Sequence, residues 1–365
     1  MKKLLSIMLL LSMMLMLTGC PPQDYTGPSE HGTLRVHFID VGQADCALIE
    51  CNGEYILIDG GNVADSQLVV SYLQKQGVQE LLAVVCSHAH EDHVGGLPGV
   101  LAVYPTQHVY APTRTHSSKC FDDFVYYTDQ QGLEITIPEP GDYLSFGGAT
   151  MTILGPVDTY ADPNNTSIVV RIDFGTTSFL FTGDMEVQAE NDMLEYWGAS
   201  YDWHVDVLKV GHHGSDTSTG YRFLNEVMPT YGVISVGEGN SYGHPHELPM
   251  SRLEDADVTI YRTDEMGTIW ATSDGNSIQF TWDNDKADPM IPTGSRPAAG
   301  GETTPSATQP QQTQPQGQTY IGNKNSKKLH IPSCSSLPKE ENRVYFDSYD
   351  EAIAEGYEPC SKCMG

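Results

Sequence analysis

His88-Ala89-His90-Glu91-Asp92-His93 packs three imidazoles and the Asp92 carboxylate into six residues, directly after the apolar run Leu81-Leu82-Ala83-Val84-Val85. The apolar run predicts a buried strand. Gly95-Gly96 beyond the cluster predicts a turn, so the polar residues fall on a loop at a strand end. Inside a strand, alternation would send His88 and His90 to one face and leave Asp92 among hydrophobic neighbours with no partner for its charge. On a loop the same residues read as metal ligands. The alternative, a polar loop that merely happens to be rich in histidine, does not account for so dense a cluster.

Two further strand ends repeat the pattern. Phe179-Leu180-Phe181-Thr182 runs into Gly183-Asp184, and Val207-Leu208-Lys209-Val210 runs into Gly211-His212-His213-Gly214. Neighbouring strands of one sandwich can aim such termini at a common point. The pooled donors are then His88, His90, Asp92, His93, Asp184 and His212, enough for two divalent metals sharing a carboxylate, with His213 read as a neighbour. Zinc takes mixed nitrogen and oxygen donors at about 2.0–2.2 Å, and manganese or iron suits a site where carboxylates weigh more. Gly183-Asp184 alone reads equally well as a turn, but the three strand ends together argue for a metal centre.

Outward from these motifs the chain alternates strand-like and helix-like segments. Strands are predicted at 34–39, 47–50, 55–58, 133–137, 151–154, 168–174, 178–182, 205–210, 231–236, 258–261 and 278–282, with helices at 66–76, 121–131, 186–196, 219–227 and 249–255. That interleaving predicts an α/β unit over 32–283, its sheets packed between helical layers. Cys46 and Cys51 lie five apart on one predicted strand and so face opposite ways. With Cys86 and Cys120 they read as small core residues, with no compact disulfide framework.

The two ends have a different character. Lys2 and Lys3 precede the short apolar stretch from Leu4 to Leu17, and Leu17-Thr18-Gly19-Cys20 follows where a secretory signal is cleaved. Residues 1–20 resemble a bacterial lipoprotein signal, which implies lipid on Cys20; an uncleaved anchor helix is the alternative. Either places the rest outside the cytoplasm, with 21–31 as a tether. No other apolar run reaches the roughly 18 residues that span a bilayer. From 284 to 319 the composition turns to Pro, Gln, Thr, Gly and Ser, a linker without the means to form a core.

The last segment, 320–365, is too short to be stable on apolar burial alone. His330, Cys334, Cys360 and Cys363 offer a closed tetrahedral zinc site as the staple. A redox pair or disulfide of Cys360 with Cys363 is the alternative. Lys324, Lys327 and Lys328 form a compact basic spot in a segment with six basic and seven acidic residues.

The formal charge is −29, and 32–283 carries 36 Asp and Glu against 9 Lys and Arg. Such a surface excludes tight binding of duplex nucleic acid over the whole face, which needs Lys and Arg to replace counterions. A pair of dications can still attract a phosphate locally.

His88, His90, Asp92 and His93 match the HxHxDH signature of the metallo-β-lactamase superfamily, and Asp184 and His212 fall where that family has its bridging aspartate and last histidine. The resemblance covers roughly Leu34 to Asp274 and implies the αββα sandwich. Within the superfamily the chain is similar to the hydrolase domain of ComEC-type competence proteins. That likeness is carried by Asp40-Val41-Gly42-Gln43-Ala44-Asp45, Ile58-Asp59-Gly60-Gly61, Asn165-Thr166-Ser167, Leu208 to Ser215, Tyr242-Gly243-His244-Pro245-His246 and Tyr261-Arg262-Thr263-Asp264. It departs in two places. Asn165 or Ser167 stands where the wider superfamily has a further histidine ligand, with His108 and His116 in the same interval; Ala44 and Cys46 replace Gly and Ser. The C-terminal segment resembles Ada-like zinc-binding modules, through 322–328, 342–346 and 356–360.

Together these imply a metal-dependent hydrolase that attacks a phosphodiester, DNA or a smaller nucleotide, with a metal-activated hydroxide. Asp92 is expected to orient the water, and His244 and His246 to serve a phosphoryl oxygen or the leaving group. Ser215, with Thr217 and Ser218 at an expected helix start, would bind phosphate or simply cap that helix. Two rivals stand beside this reading: a surface binding protein with a purely structural metal site, and a hydrolase of other esters such as lactones. No protein partner is implied.

Overall fold

The computed structural model describes residues 32–284 and 286–292, and beyond them 320–324, 327–331, 334, 337–339, 342–346, 352 and 357–360. Alternation of side chains builds its two large sheets. In the strand Thr177–Phe181, Phe179 and Phe181 enter the core between the sheets while Leu180 enters the outer one. In Glu54–Ile58, Ile56 and Ile58 face inward and Leu57 outward.

The first sheet runs Ile278–Trp282, Ile269–Ser273, Leu34–Phe38, Ala47–Cys51, Glu54–Ile58, Leu81–Val85, Thr106–Tyr110, Ile135–Thr136. The second runs Thr259–Arg262, Tyr231–Ile234, Val207–Lys209, Thr177–Phe181, Val169–Phe174, Ala149–Gly155, Tyr143–Phe146. They meet through Val36, Phe38, Ile49 and Val85 on one side and Met151, Ile172, Phe179 and Val233 on the other. Helices Ser66–Lys75, Leu97–Val103 and Lys119–Gln130 cover the outer face of the first sheet, where Val69, Leu73, Val100, Phe121 and Phe124 pack on Leu48, Leu57 and Val84. Val187–Trp197, Tyr221–Val227 and Glu247–Asp255 cover the second through Met193, Leu224 and Leu253. The four layers are the expected αββα arrangement.

Glu54–Ile58, Leu81–Val85 and Thr106–Tyr110 pair in parallel, as do Thr177–Phe181, Val207–Lys209, Tyr231–Ile234 and Thr259–Arg262. Parallel strands end together at one edge, and the carboxyl ends in both sheets open onto the same place. There the chain puts Asp59, His88, Asp184, His212 and His213.

Several local expectations change. Gly95 and Gly96 do make the turn, between the short helix Glu91–Val94 and the helix Leu97–Val103, but with right-handed φ of −57° and −85°, so it does not use the freedom peculiar to glycine. They are small because a methyl on Gly96 would run into the Gly60 carbonyl, and one on Gly95 into the Glu91 carbonyl and the Val63 amide. The cluster loop is itself a short helix, Glu91–Val94, with His90 as its N-cap. The run from Leu97, too uniformly apolar to show a helical stripe, is a helix with four of its seven residues buried. Within the segment expected as linker, Met290 exchanges backbone hydrogen bonds of 2.9 Å with Ile260 of Thr259–Arg262, the edge strand of the second sheet. Ser215 does not begin a helix, since Tyr221–Val227 starts after Gly220. Cys46 and Cys51 do face opposite sides, and Ala44 joins Cys46 in the outer core, a packing role.

The C-terminal module has a four-stranded sheet in the order Arg343–Phe346, Tyr320–Asn323, Lys328–His330, Glu358–Pro359 around Leu329, Phe346, Ala352 and Tyr357. Residues 1–31, with Cys20, and Cys363 lie outside the described residues. Among the described residues no helix is long and apolar enough to cross a membrane.

Candidate metal centre

Asp184 is the hub. The Thr177–Phe181 strand delivers it through Gly183, whose φ of 53° suits glycine and whose added Cβ would press on the Ser167 hydroxyl and Ser87. The Ser167 Oγ accepts the Asp184 N–H at 3.1 Å and fixes the turn. The carboxylate then reaches both halves of the sandwich. Its Oδ1 lies 3.3 Å from His93 Nε2, and its Oδ2 lies 3.6, 3.7 and 3.9 Å from the Nε2 atoms of His212, His213 and His88.

Asp92, His93, Asp184 and His213 form one compact donor group. Its edges include 3.4 Å from His213 Nε2 to Asp92 Oδ2 and 3.9 Å from His93 Nε2 to the same oxygen. Donors about 2.1 Å from a tetrahedral ion stand roughly 3.4 Å apart, so these spacings suit one. Beside it, His88 Nε2 lies 3.0 Å from His90 Nδ1 and 3.9 Å from Asp184 Oδ2.

The residues fit a metal on another ground. His93 Nε2, His213 Nε2 and Asp184 Oδ1 are buried and make no hydrogen bond. Buried polar atoms are almost always paired, and three orphans converging on one point call for a cation.

The far nitrogens are all held. His93 Nδ1 meets Asp59 Oδ2 at 2.9 Å, while Asp59 also accepts the Ser87 N–H and hydroxyl at 2.7 Å each. His213 Nδ1 meets the Ser235 carbonyl at 2.9 Å and Asp45 Oδ1 at 3.2 Å, and Lys209 Nζ sits on Asp45 Oδ2 at 2.6 Å. Such contacts fix which ring nitrogen is free to bind metal. The backbone at His212 and His213 is left-handed, φ 49° and 53°, a conformation costly for histidine that recurs at functional sites.

The charges divide accordingly. Burial, then the charge on His93, pushes His88 well below its ordinary pKa, so it is a neutral ligand. Burial opposes a proton on His213 too, yet Asp184 and Asp45 outweigh it and raise the imidazole to about 10. His93 is raised well above normal, against its burial, by Asp184, Asp59 and Asp92. Against the burial of Asp92, His93 and His213 pull its carboxyl down to about 2. The protons on His93 and His213 are those a dication displaces.

Of the other expected residues, His244 flanks the cluster, its ring 5.7 Å from that of His212 and 6.3 Å from that of His213. His246 has both nitrogens engaged: Nδ1 accepts the Asp216 N–H at 3.1 Å, and Nε2 faces the Tyr242 carbonyl at 3.2 Å. The Ser215 hydroxyl is buried against Thr217 Oγ1 at 3.1 Å, inside its own loop. His108 is exposed beside Tyr110, and His116 rests on Phe121, so neither joins the cluster. Asn165 Oδ1 is spent on the Glu186 N–H at 3.0 Å. Sequence reasoning gave no role to Asp45, Asp59 or Lys209 and left His213 a neighbour. The signal was present for Asp59, which follows the strand Glu54–Ile58 as Asp184 follows its own.

In the C-terminal module His330, Cys334 and Cys360 gather as a second donor set, with His330 Nδ1 3.3 Å from Cys334 Sγ.

A family profile described as the Metallo-beta-lactamase superfamily matches residues 39–238, and one described as the Metal binding domain of Ada matches 304–364. The chain is 28% identical over 254 residues to ComE operon protein 3 of Bacillus subtilis, covering 64% of this chain and 32% of that protein. It is 33% identical over 246 residues to Recombination protein 2 of Haemophilus influenzae, covering 65% of this chain and 28% of that one. It is 29% identical over 192 residues to Hydroxyacylglutathione hydrolase of Photorhabdus laumondii, covering 50% and 66%. The chain thus spans about a third of the length of the first two relatives.

Proposed function

Given that this chain belongs to the metallo-beta-lactamase superfamily, whose fold carries metal-dependent hydrolysis, we propose that it is a two-metal phosphodiesterase acting on DNA or a smaller nucleotide, tethered outside the cytoplasm through lipid on Cys20. The observation that carries the reading is a neutral hydrogen-bond donor beside the donor cluster. Gln43 Oε1 accepts the Gly237 N–H at 3.1 Å, which turns its amide nitrogen onto His244 Nδ1 at 3.3 Å. The proton of His244 therefore sits on Nε2. Burial, then the charge of His213 and His246, brings this imidazole down to about 4, so it stays neutral at physiological pH. A neutral N–H beside a cationic centre suits a phosphoryl oxygen, which needs donors and carries charge.

Bound dications would lower the pKa of a water towards neutrality and draw charge from the oxygen under attack. Asp92, His93, Asp184 and His213 would hold one, and His88, His90 and His212, which gather beside Asp184, would serve the other. Asp92 differs from Asp184 in access, its side chain 31% exposed against 3%, so it can orient the attacking water and accept its proton. His246 shapes the loop that presents His244 through its two backbone contacts. The name of Recombination protein 2 agrees with a nucleic-acid substrate; that of Hydroxyacylglutathione hydrolase makes a thioester the rival to test.

The test is turnover of bis(4-nitrophenyl) phosphate by the metal-loaded full chain, with a lactone and a glutathione thioester assayed beside it. Asp184→Ala is expected to abolish diester turnover and lose metal, and His244→Gln to lower kcat roughly a hundredfold. Turnover of the thioester or lactone with none of the diester would overturn the phosphodiesterase reading. The tether is tested separately: Cys20→Ser should move the protein from the membrane fraction to the soluble one.

A further inference from the structure

The adjacent histidines His212 and His213 face the same Asp184 oxygen, at 3.6 and 3.7 Å, from one left-handed turn. His213 is fully accounted for by the group it makes with Asp92, His93 and Asp184. The cluster around His88 and His90 lacks a third imidazole from the intervening chain. Between His93 and Asp184 the sequence has only His108 and His116, both placed elsewhere, and the Ser167 and Asn165 side chains are committed to backbone N–H groups.

His212 is held as a ligand is held. Its Nδ1 lies 3.2 Å from Thr217 Oγ1 and 3.7 Å from Glu186 Oε1, while its Nε2 is turned to Asp184 Oδ2, the oxygen that His88 Nε2 faces at 3.9 Å. Hydroxyl and carboxylate partners on the far nitrogen are what orient a metal-binding imidazole. The left-handed backbone is what lets two consecutive residues point to one place, since in a strand they would diverge.

We infer that the two neighbouring histidines serve different ions: His213 completes the set of Asp92, His93 and Asp184, and His212 completes the set of His88, His90 and Asp184, replacing the histidine that the intervening chain does not supply. The inference deepens the two-metal reading and rests on it.

The experiment counts zinc per full chain by mass spectrometry after dialysis, and records the visible absorption of the cobalt(II) form. His212→Gln should lose one zinc relative to the parent chain and part of the cobalt bands, whereas His212→Cys, which keeps a ligand, should retain the parent content. An unchanged count in His212→Gln overturns the assignment, and if the parent still cleaves the diester the phosphodiesterase reading survives that failure. Loss of one zinc with no diester cleaved by the parent sinks the reading and leaves the ligand assignment standing. Should His212→Gln not fold, Thr217→Val replaces it: the weaker-bound of the two ions should bind about 10–100-fold less tightly, and unaltered affinities count against the assignment.

Discussion

Asp45 and Asp59 stand behind the imidazoles of the donor cluster, Asp59 at His93 Nδ1 and Asp45 beside His213 Nδ1, and with His93 they make a further group compact enough to hold an ion. Asp59→Ala removes the partner of His93 Nδ1, and a chelator-competition titration should show metal affinity down by about 10–100-fold. Lys209 is the more exposed to failure because it is the buried countercharge. Its Nζ lies 2.6 Å from Asp45 Oδ2, with both side chains under 10% exposed. Lys209→Met leaves that carboxylate without its ammonium and should cost about 3–5 kcal/mol, read as a lower urea midpoint in the metal-free protein. These roles were not legible in the sequence. Lys209 sits in an apolar strand and Asp45 in a Gly-containing loop, and only the packing of the second sheet's strand end on the first brings them together.

The loop from Gly211 to Gly220 carries the two histidines, and Glu190 holds its far end. This buried carboxylate on the helix Val187–Trp197 accepts the Thr219 and Gly220 N–H groups, at 2.5 and 2.9 Å. Burial raises its pKa to about 7, against the pull of those two N–H groups and of Arg252. The folded chain thus holds this proton more tightly than the unfolded chain does. The stabilisation is complete below the ordinary carboxyl value of 4.5 and declines as pH rises to about 7, then stays flat. The decline amounts to roughly 3 kcal/mol. In urea midpoints measured across that window, Glu190→Gln should flatten the parent's downward slope; an unchanged slope would assign it to another group. The strand-to-loop turn at Gly183 gives a simpler expectation. Gly183→Ala meets both an unfavourable φ and the Ser167 hydroxyl, and should lower stability by about 1–3 kcal/mol in the same measurement. Strand-end patterning revealed where these turns lie. It did not reveal that Gly95 and Gly96 are small for close contact, because the Gly60 and Glu91 carbonyls they touch come from other parts of the fold or lie across a helical turn.

The hydrolase domain carries 36 acidic against 9 basic residues, so a polyanion approaches its site against the field of the whole protein. The KM for a single-stranded DNA oligonucleotide should therefore fall as salt rises from 10 to about 150 mM, where the screening length shortens from about 30 Å to about 8 Å, while KM for a small diester changes little. A KM for DNA that climbs with salt instead would point to a basic surface such as the C-terminal lysines. The C-terminal module makes its own metal prediction: Cys360→Ser should remove one zinc and leave turnover of the small diester unchanged, since its donors His330 and Cys334 lie in a separate sheet and core. From the sequence alone came an α/β unit and a metal centre at its strand ends, because apolar runs that end in Gly, His and Asp are local patterns written along single strands, while the αββα sandwich followed from the resemblance of those motifs to the metallo-β-lactamase superfamily. The division of the ligands between His212 and His213, the spent state of His246 and Ser215, and the carboxylates behind the imidazoles were decided by the tertiary structure. Each depends on atoms contributed by opposite sheets or distant loops, and a side chain's free nitrogen is set by whichever neighbour the fold places against the other one.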